Sequence, residues 1–183
     1  MKTVCVFLAD GCEEVEAITP IDYLRRAGAK VIVAGIGNRE IIGGHGIAIV
    51  ADVALDDVDD EDYDCIVVPG GGGGSKAIAA DPTAVALLKH QASKGRLIAS
   101  ICASPAVVLG QACGLLAGRR FTCFPGLEGT VPEGRFEASR VVDDGNLITA
   151  RAAGCAGEFA VAIIRALIGG AKADEVAAAV MLA

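Results

Sequence analysis

Hydrophobic positions in this chain fall into short runs parted by polar or glycine-rich turns, and those runs alternate with stretches of helical period. Residues 3–8 (Thr-Val-Cys-Val-Phe-Leu) are almost unbroken apolar, the pattern of a strand buried on both faces. Residues 13–27 read as a helix that Gly28 closes. Pro20 is expected to kink that helix or mark its second half. Residues 30–35 form a second apolar run, and strand–helix–strand in this order opens a doubly wound parallel sheet. Residues 41–50 contain Gly43-Gly44-His45-Gly46, a hairpin between short strands. Residues 54–62 are acidic and polar, a surface connection.

The next buried strand, residues 64–68, runs into Pro69 and five glycines, Gly70 to Gly74. Ser75 suits the cap of a short helix through Ala80, and Asp81-Pro82 opens a further helix to about Ser93 by the cap-then-proline rule. Residues 97–101 are again apolar. Cys102 follows at once, and Pro105 suits the first turn of a helix that reaches about Ala112. Residues 120–124 read as a short strand. Residues 140–143 and 146–150 flank Asp144-Gly145, a two-residue hairpin signal. Residues 158–167 and 173–182 read as terminal helices. No internal repeat or second domain is apparent, so residues 1–183 are expected to form one domain with one sizeable core.

Composition narrows the classes. The chain is 53% hydrophobic, yet no apolar run approaches a membrane span. A formal net charge of −7 disfavours nucleic acid as a partner. Met1-Lys2-Thr3 leads straight into a strand without signal-peptide patterning, so a cytoplasmic location is expected. Seven cysteines, an odd number with no C-x-x-C pair, read as free thiols, with Cys5 and Cys65 in strand cores. His45 and His90 are the sole imidazoles, so no metal centre is expected.

Chemistry concentrates at Cys102. A strand that stops at a cysteine with a helix starting within two residues is the cysteine version of a nucleophile elbow. The helix N-terminus favours a thiolate, so Cys102 is expected to be the most acidic of the seven thiols. The alternative is a small buried core residue. Gly70 and Gly71 lie at the carboxyl end of a parallel strand, where α/β sites form, and their N–H groups suit an oxyanion hole; the alternative is a flexible loop. No G-x-x-x-x-G-K-[ST] or G-x-G-x-x-G pattern supports a nucleotide site. Glu13-Glu14-Val15-Glu16 follows the first strand at the same sheet end. One of these carboxyls turned inward beside Cys102 would be desolvated, hold its proton and donate to the sulfur. Spacing leaves both Glu13 and Glu16 open, and charge at a helix N-terminus accounts for part of the cluster.

Together these segments resemble the ThiJ/PfpI superfamily, closest to its Parkinsonism-associated deglycase or YajL-like branch. The residues that carry the resemblance are Leu8 to Glu16, Val67-Val68-Pro69-Gly70-Gly71, Ile98 to Pro105, Phe121 to Pro125, Ile148 to Arg151 and Glu158-Phe159-Ala160. The resemblance implies a flavodoxin-like (class I glutamine amidotransferase-like) three-layer α/β/α sandwich with a mostly parallel sheet, and a homodimer. It implies Cys102 as the reactive cysteine, Glu16 as its protonated partner, and Gly70, Gly71 and Ala103 as backbone donors around the sulfur. The implied activities are cofactor-free conversion of methylglyoxal to lactate and deglycation, with small reactive aldehydes or glycated groups as partners. The rival reading is a redox sensor or redox-regulated chaperone that oxidises Cys102 to sulfinate. Phe124 stands where some members have His, and Ala103 stands where the protease-like branch has His. Phe124, Arg151 and His45 are candidates to line the site. His45, where relatives often carry Arg, is read either as reaching the site or as a solvent-exposed turn residue.

Overall fold

The computed structural model describes residues 1–58 and 62–182, so part of the expected 54–62 connection, residues 59–61, lies outside the described residues. In chain order the strands are β1 (Thr3–Leu8), β2 (Lys30–Gly35), β3 (Glu40–Ile42), β4 (Ala48–Val50), β5 (Val53–Ala54), β6 (Cys65–Val68), β7 (Leu97–Ile101), β8 (Arg120–Phe121), β9 (Arg135–Phe136), β10 (Val141–Asp143) and β11 (Leu147–Ala150). The α-helices are α1 (Glu14–Arg26), α2 (Gly72–Ala80), α3 (Pro82–Ser93), α4 (Ala156–Leu167) and α5 (Gly170–Ala179), and a π-helix spans Pro105–Ala112.

Seven strands share one sheet in the order β10-β11-β7-β6-β1-β2-β5. The four runs expected as parallel neighbours are so: Val4 pairs with Val31 on one side and with Cys65 on the other, and Cys65 pairs with Leu97. Among the described residues the sole antiparallel strand of this sheet is β10, which returns beside β11 through Asp144-Gly145, with Gly145 at φ +78°. Continuous apolar sequence is what a strand covered on both faces requires, and Val4 to Leu8 are fully buried. On one face Ala17, Ile21 and Leu24 of α1 meet Phe159 and Ile163 of α4 and Val176 of α5. On the other, Ile78 of α2, Leu88 of α3 and Leu109 of the π-helix cover Phe7, Ile66 and Val68. The result is the flavodoxin-like α/β/α layering. Among the described residues no helix is long and apolar enough to cross a membrane.

Several expectations change in detail. Pro20 lies inside α1, which runs on past it as one helix to Arg26; Gly28, at φ +85°, follows its end. Ser75 does not cap α2. The helix starts at Gly72 and takes in the glycine run, because the run packs backbone against backbone: a Cβ on Gly74 would lie 2.7 Å from Cys12 Cα. Asp81 does cap α3, accepting from the Ala84 N–H at 2.8 Å with Pro82 at the first position. The helix after the elbow is π rather than α, with backbone bonds that reach five residues back, as from Cys113 N to Val108 O at 2.9 Å. The 120–124 strand shrinks to β8, paired parallel with β9, and β5 and β9 are too short for any periodicity to reveal. The last two helices start earlier than expected, at Ala156 and Gly170, and α5 ends at Ala179.

The 41–50 hairpin forms as β3 and β4, outside the main sheet. It is tied to the β1–α1 turn: Gly11 N donates to Ile42 O, Ile42 N to Asp10 Oδ1 and Gly44 N to Cys12 O, each at 2.8 Å. Phe159, fully buried, is the largest side chain that α4 lends to its face of the sheet. Phe159→Ala is expected to destabilise the fold by about 3–5 kcal/mol, seen as a lower urea midpoint at unchanged slope.

Candidate active site

The chain leaves β7 at Ile101 and turns on Cys102, whose φ of +65° lies in the left-handed region that a residue with a side chain rarely enters. Such a conformation costs on the order of 1–3 kcal/mol and persists only where its surroundings hold it. Here they do: Cys102 N donates to Ala150 O at 2.9 Å, and Phe124 N donates to Cys102 O at 2.7 Å. The turn ejects the side chain at the carboxyl end of the sheet, where the thiol is part-buried, in contrast to the six other cysteines, all buried.

Two neighbouring carboxyl ends complete the site. Glu16, in the first turn of α1, has no exposed surface, and its Oε2 accepts from the Gly70 N–H at 2.9 Å. Glu13 N donates to Gly70 O at 3.0 Å, so α1 holds Gly70 from both sides. A Cβ on Gly70 would lie 2.5 Å from Glu16 Oε2 and 2.6 Å from Cys102 Cβ, so only glycine fits between them. Gly71, at φ +92°, is pressed against Gly11 O and the Glu13 N–H in the same way. The N–H groups of Gly71 and Ala103 face the sulfur, and so does the Glu16 carboxyl. Gly70, anticipated as a third donor, directs its N–H to Glu16 instead.

Electrostatics differ from the sequence expectation. Burial, then the Glu16 charge, push the Cys102 thiol up to about 12, against the lowering pull of Gly71 and Ala103 N–H groups. Burial likewise raises Glu16 to about 7, with the Cys102 hydrogen bond and the Gly70 N–H opposing. Cys102 is thus not an isolated acidic thiol. It shares a desolvated pocket with a carboxyl, and the two titrate as a pair. A charge on either one raises the cost of ionising the other.

The remaining candidates sit at different places. Phe124 is 46% exposed beside the elbow, tied to it by its backbone. The Arg151 guanidinium donates to Ala138 O at 3.3 Å. His45 is on the exposed hairpin turn, and its Nδ1 lies 2.9 Å from Glu14 Oε2 and 3.6 Å from Glu13 Oε1. Glu14 Oε1 also accepts from the His45 and Ile47 N–H groups, at 2.8 and 3.4 Å. These bonds, the His45 side chain foremost, lower the Glu14 carboxyl to about 2, and Glu14 raises His45 in turn. Glu13, Glu14 and His45 bring three potential ligand atoms within 4.8 Å of one another, a cluster the sequence did not suggest. The sequence also passed over Ser104, whose Oγ donates to Pro69 O at 2.5 Å and lies 2.9 Å from Ser75 Oγ, both serines being fully buried. A hydroxyl two residues past the elbow cysteine was the available signal.

The chain as a whole is similar to known proteins. The DJ-1/PfpI family model matches residues 2–166. Protein DJ-1 homolog B of Arabidopsis thaliana is 41% identical over 98% of this chain; the chain spans 41% of that protein's length. The glutathione-independent glyoxalase DJR-1.2 of Caenorhabditis elegans is 38% identical over 91% of this chain and 88% of its own. The solved structure of oxidized Toxoplasma gondii DJ-1 superimposes with a TM-score of 0.96 at 36% identity, covering 100% of both chains.

A carboxyl raised above its unfolded value favours the folded state only while it holds its proton. For Glu16 that contribution is complete below 4.5 and is lost as pH rises through about 7. Wild-type stability is therefore expected to fall across this window relative to Glu16→Gln, by up to about 1.4 kcal/mol per pH unit. Urea melts of both proteins from pH 4 to pH 8, differenced pairwise, measure it; parallel curves would contradict the burial-raised carboxyl.

Proposed function

Since this chain belongs to the DJ-1/PfpI family, we propose that it is a cysteine-dependent, cofactor-free glyoxalase that converts 2-oxoaldehydes such as methylglyoxal into 2-hydroxy acids. One observation carries the reading: a strained, accessible thiol with two backbone N–H groups and a fully buried carboxyl converging on its sulfur. The name of the C. elegans relative supports the substrate class.

The reactive tautomer places the pair's remaining proton on Glu16 and leaves Cys102 as thiolate. The sulfur attacks the aldehyde carbon, and the carbonyl oxygen takes the Glu16 proton, giving a hemithioacetal. Gly71 and Ala103 N–H groups stabilise the charge that develops in their pocket. Glu16, now a carboxylate, removes the hydrogen of that carbon as a proton. The electron pair moves toward the neighbouring ketone to form an enediol, and Glu16 returns the proton to the second carbon. The hydroxyl proton on the first carbon passes to the second oxygen, leaving a thioester. Water then cleaves it to the 2-hydroxy acid and regenerates the thiol. The same adduct, with an amine or thiol on the substrate as leaving group, gives deglycation of early adducts.

A redox-sensing role for the same cysteine is the second reading, favoured by the fact that the Gly71 and Ala103 amides and a protonated Glu16 suit a sulfinate as well as an oxyanion. The homodimer is supported by an apolar face: Val15 and Ile18 of α1 and Ile42, Ile47 and Val50 of the hairpin are each between 45% and 66% exposed. Such a face disfavours a lone chain in water, and a cytoplasmic setting, where thiols stay reduced, suits seven free cysteines.

Steady-state assays with methylglyoxal test the enzyme reading. Cys102→Ser is expected to abolish turnover, and Glu16→Gln to lower kcat by about 10²-fold or more. Wild-type protein without turnover, but with Cys102 oxidised first among its thiols by peroxide, would favour the sensor. Sedimentation at micromolar concentration is expected to give twice the 18.4 kDa chain mass.

A further inference from the structure

We propose that Ser75 and Ser104 are positioning residues that act on Glu16 through the Pro69–Gly70 peptide group. The geometry is a continuous chain of hydrogen bonds. Pro69 O has no proton to give, so Ser104 Oγ is the donor in their 2.5 Å contact. That uses the one hydroxyl proton of Ser104. In the 2.9 Å contact between the two serines the donor is therefore Ser75. The carbonyl of Pro69 and the N–H of Gly70 belong to one planar amide. Its N–H donates to Glu16 Oε2 at 2.9 Å. The order runs Ser75 O–H to Ser104 O–H to Pro69 C=O, and then from Gly70 N–H to the Glu16 carboxyl.

Every link lies out of water. Ser75, Ser104 and Glu16 have no exposed surface, and Gly70 is buried. In such surroundings each bond polarises the next, and an amide that accepts at oxygen becomes a stronger donor at nitrogen. A stronger donor favours the charged form of the carboxyl that receives it. The serines therefore hold Glu16 more ionisable than burial alone would leave it. They also fix the peptide plane, and the Glu13 N–H on Gly70 O fixes the next one. The ionisable groups that face Glu16 are Cys102 from the elbow and Glu13 from the start of its own helix. Neither is touched by changing a serine.

This inference rests on the reading of Glu16 as the proton carrier of the site, but its test needs no turnover. The rate of Cys102 alkylation by iodoacetamide is followed against pH in wild type, Ser104→Ala, Ser75→Ala and Glu16→Gln, with folding checked by circular dichroism. Wild type is expected to show a midpoint near 7 that Glu16→Gln removes, which assigns it to the pair. Ser104→Ala is expected to raise that midpoint by about half a unit, and Ser75→Ala by less, because it removes only the outer link. Packing loss alone would lower melting temperature without moving the midpoint. Should Ser104→Ala not fold, Ser75→Ala decides by itself. An unmoved or lowered midpoint in the folded variants overturns the relay, as does a wild-type profile without any Glu16-dependent midpoint. A raised midpoint in a protein that does not turn over methylglyoxal keeps the relay and removes the glyoxalase reading.

Discussion

The site depends on one close approach. Gly70 lies between a buried carboxyl, a thiol and the end of β7, in a space where a single added carbon would stand 2.5 Å from Glu16 Oε2. Its N–H and C=O are taken by Glu16 in the first turn of α1 and by Glu13 just before it. The helix that carries the carboxyl and the loop that carries the sulfur-facing amide are therefore one rigid assembly. The glycine run after β6 follows from the same constraint, since Gly71 and Gly74 press on the Gly11–Glu13 backbone. Flexibility is the smaller part of what these glycines contribute; most of them are packed, and several lie inside α2.

Desolvation governs the chemistry that this assembly permits. Glu16 has no exposed surface, and the cost of ionising it rises together with that of the neighbouring thiol. A pair that cannot hold two charges cheaply gives up one proton well before the other and can leave the remaining one on either atom. A thiol lowered by a helix end alone would be a thiolate without a proton donor beside it. The arrangement seen here supplies both in one pocket, at the cost of a raised resting thiol.

Glu14 shows how the same acidic cluster serves two ends. It points away from the sulfur and holds the β3–β4 turn by its His45 and Ile47 N–H groups and the His45 ring. A Cβ at Gly43 would run into the Glu14 carboxyl, so a larger residue there would displace it. Glu14 and Glu16, in one helix turn, thus divide between the hairpin that carries exposed Ile42, Ile47 and Val50 and the pocket beside Cys102.

Much of the fold was legible because buried parallel strands need unbroken apolar runs, and β1, β2, β6 and β7 carry them. The Asp81-Pro82 cap, the Asp144-Gly145 hairpin and the strand-to-helix turn at Cys102 were legible for the same local reason: each is set by backbone preferences of a few consecutive residues. The two-residue strands β5, β8 and β9 were not, being shorter than any period. Sequence alone also named Cys102 and narrowed its partner to the glutamate cluster; helix spacing left Glu13 and Glu16 open, and the family resemblance pointed to Glu16. Tertiary structure shows which of the two is buried, because only the docking of the first turn of α1 on Gly70, beside the elbow, decides which carboxyl loses its water. It turned the Gly70 N–H toward that carboxyl, reversed the expected acidity of the thiol, and brought Ser75 to Ser104 across 29 residues of chain. Desolvation and hydrogen-bond direction are properties of the space between elements, and no stretch of sequence carries them by itself.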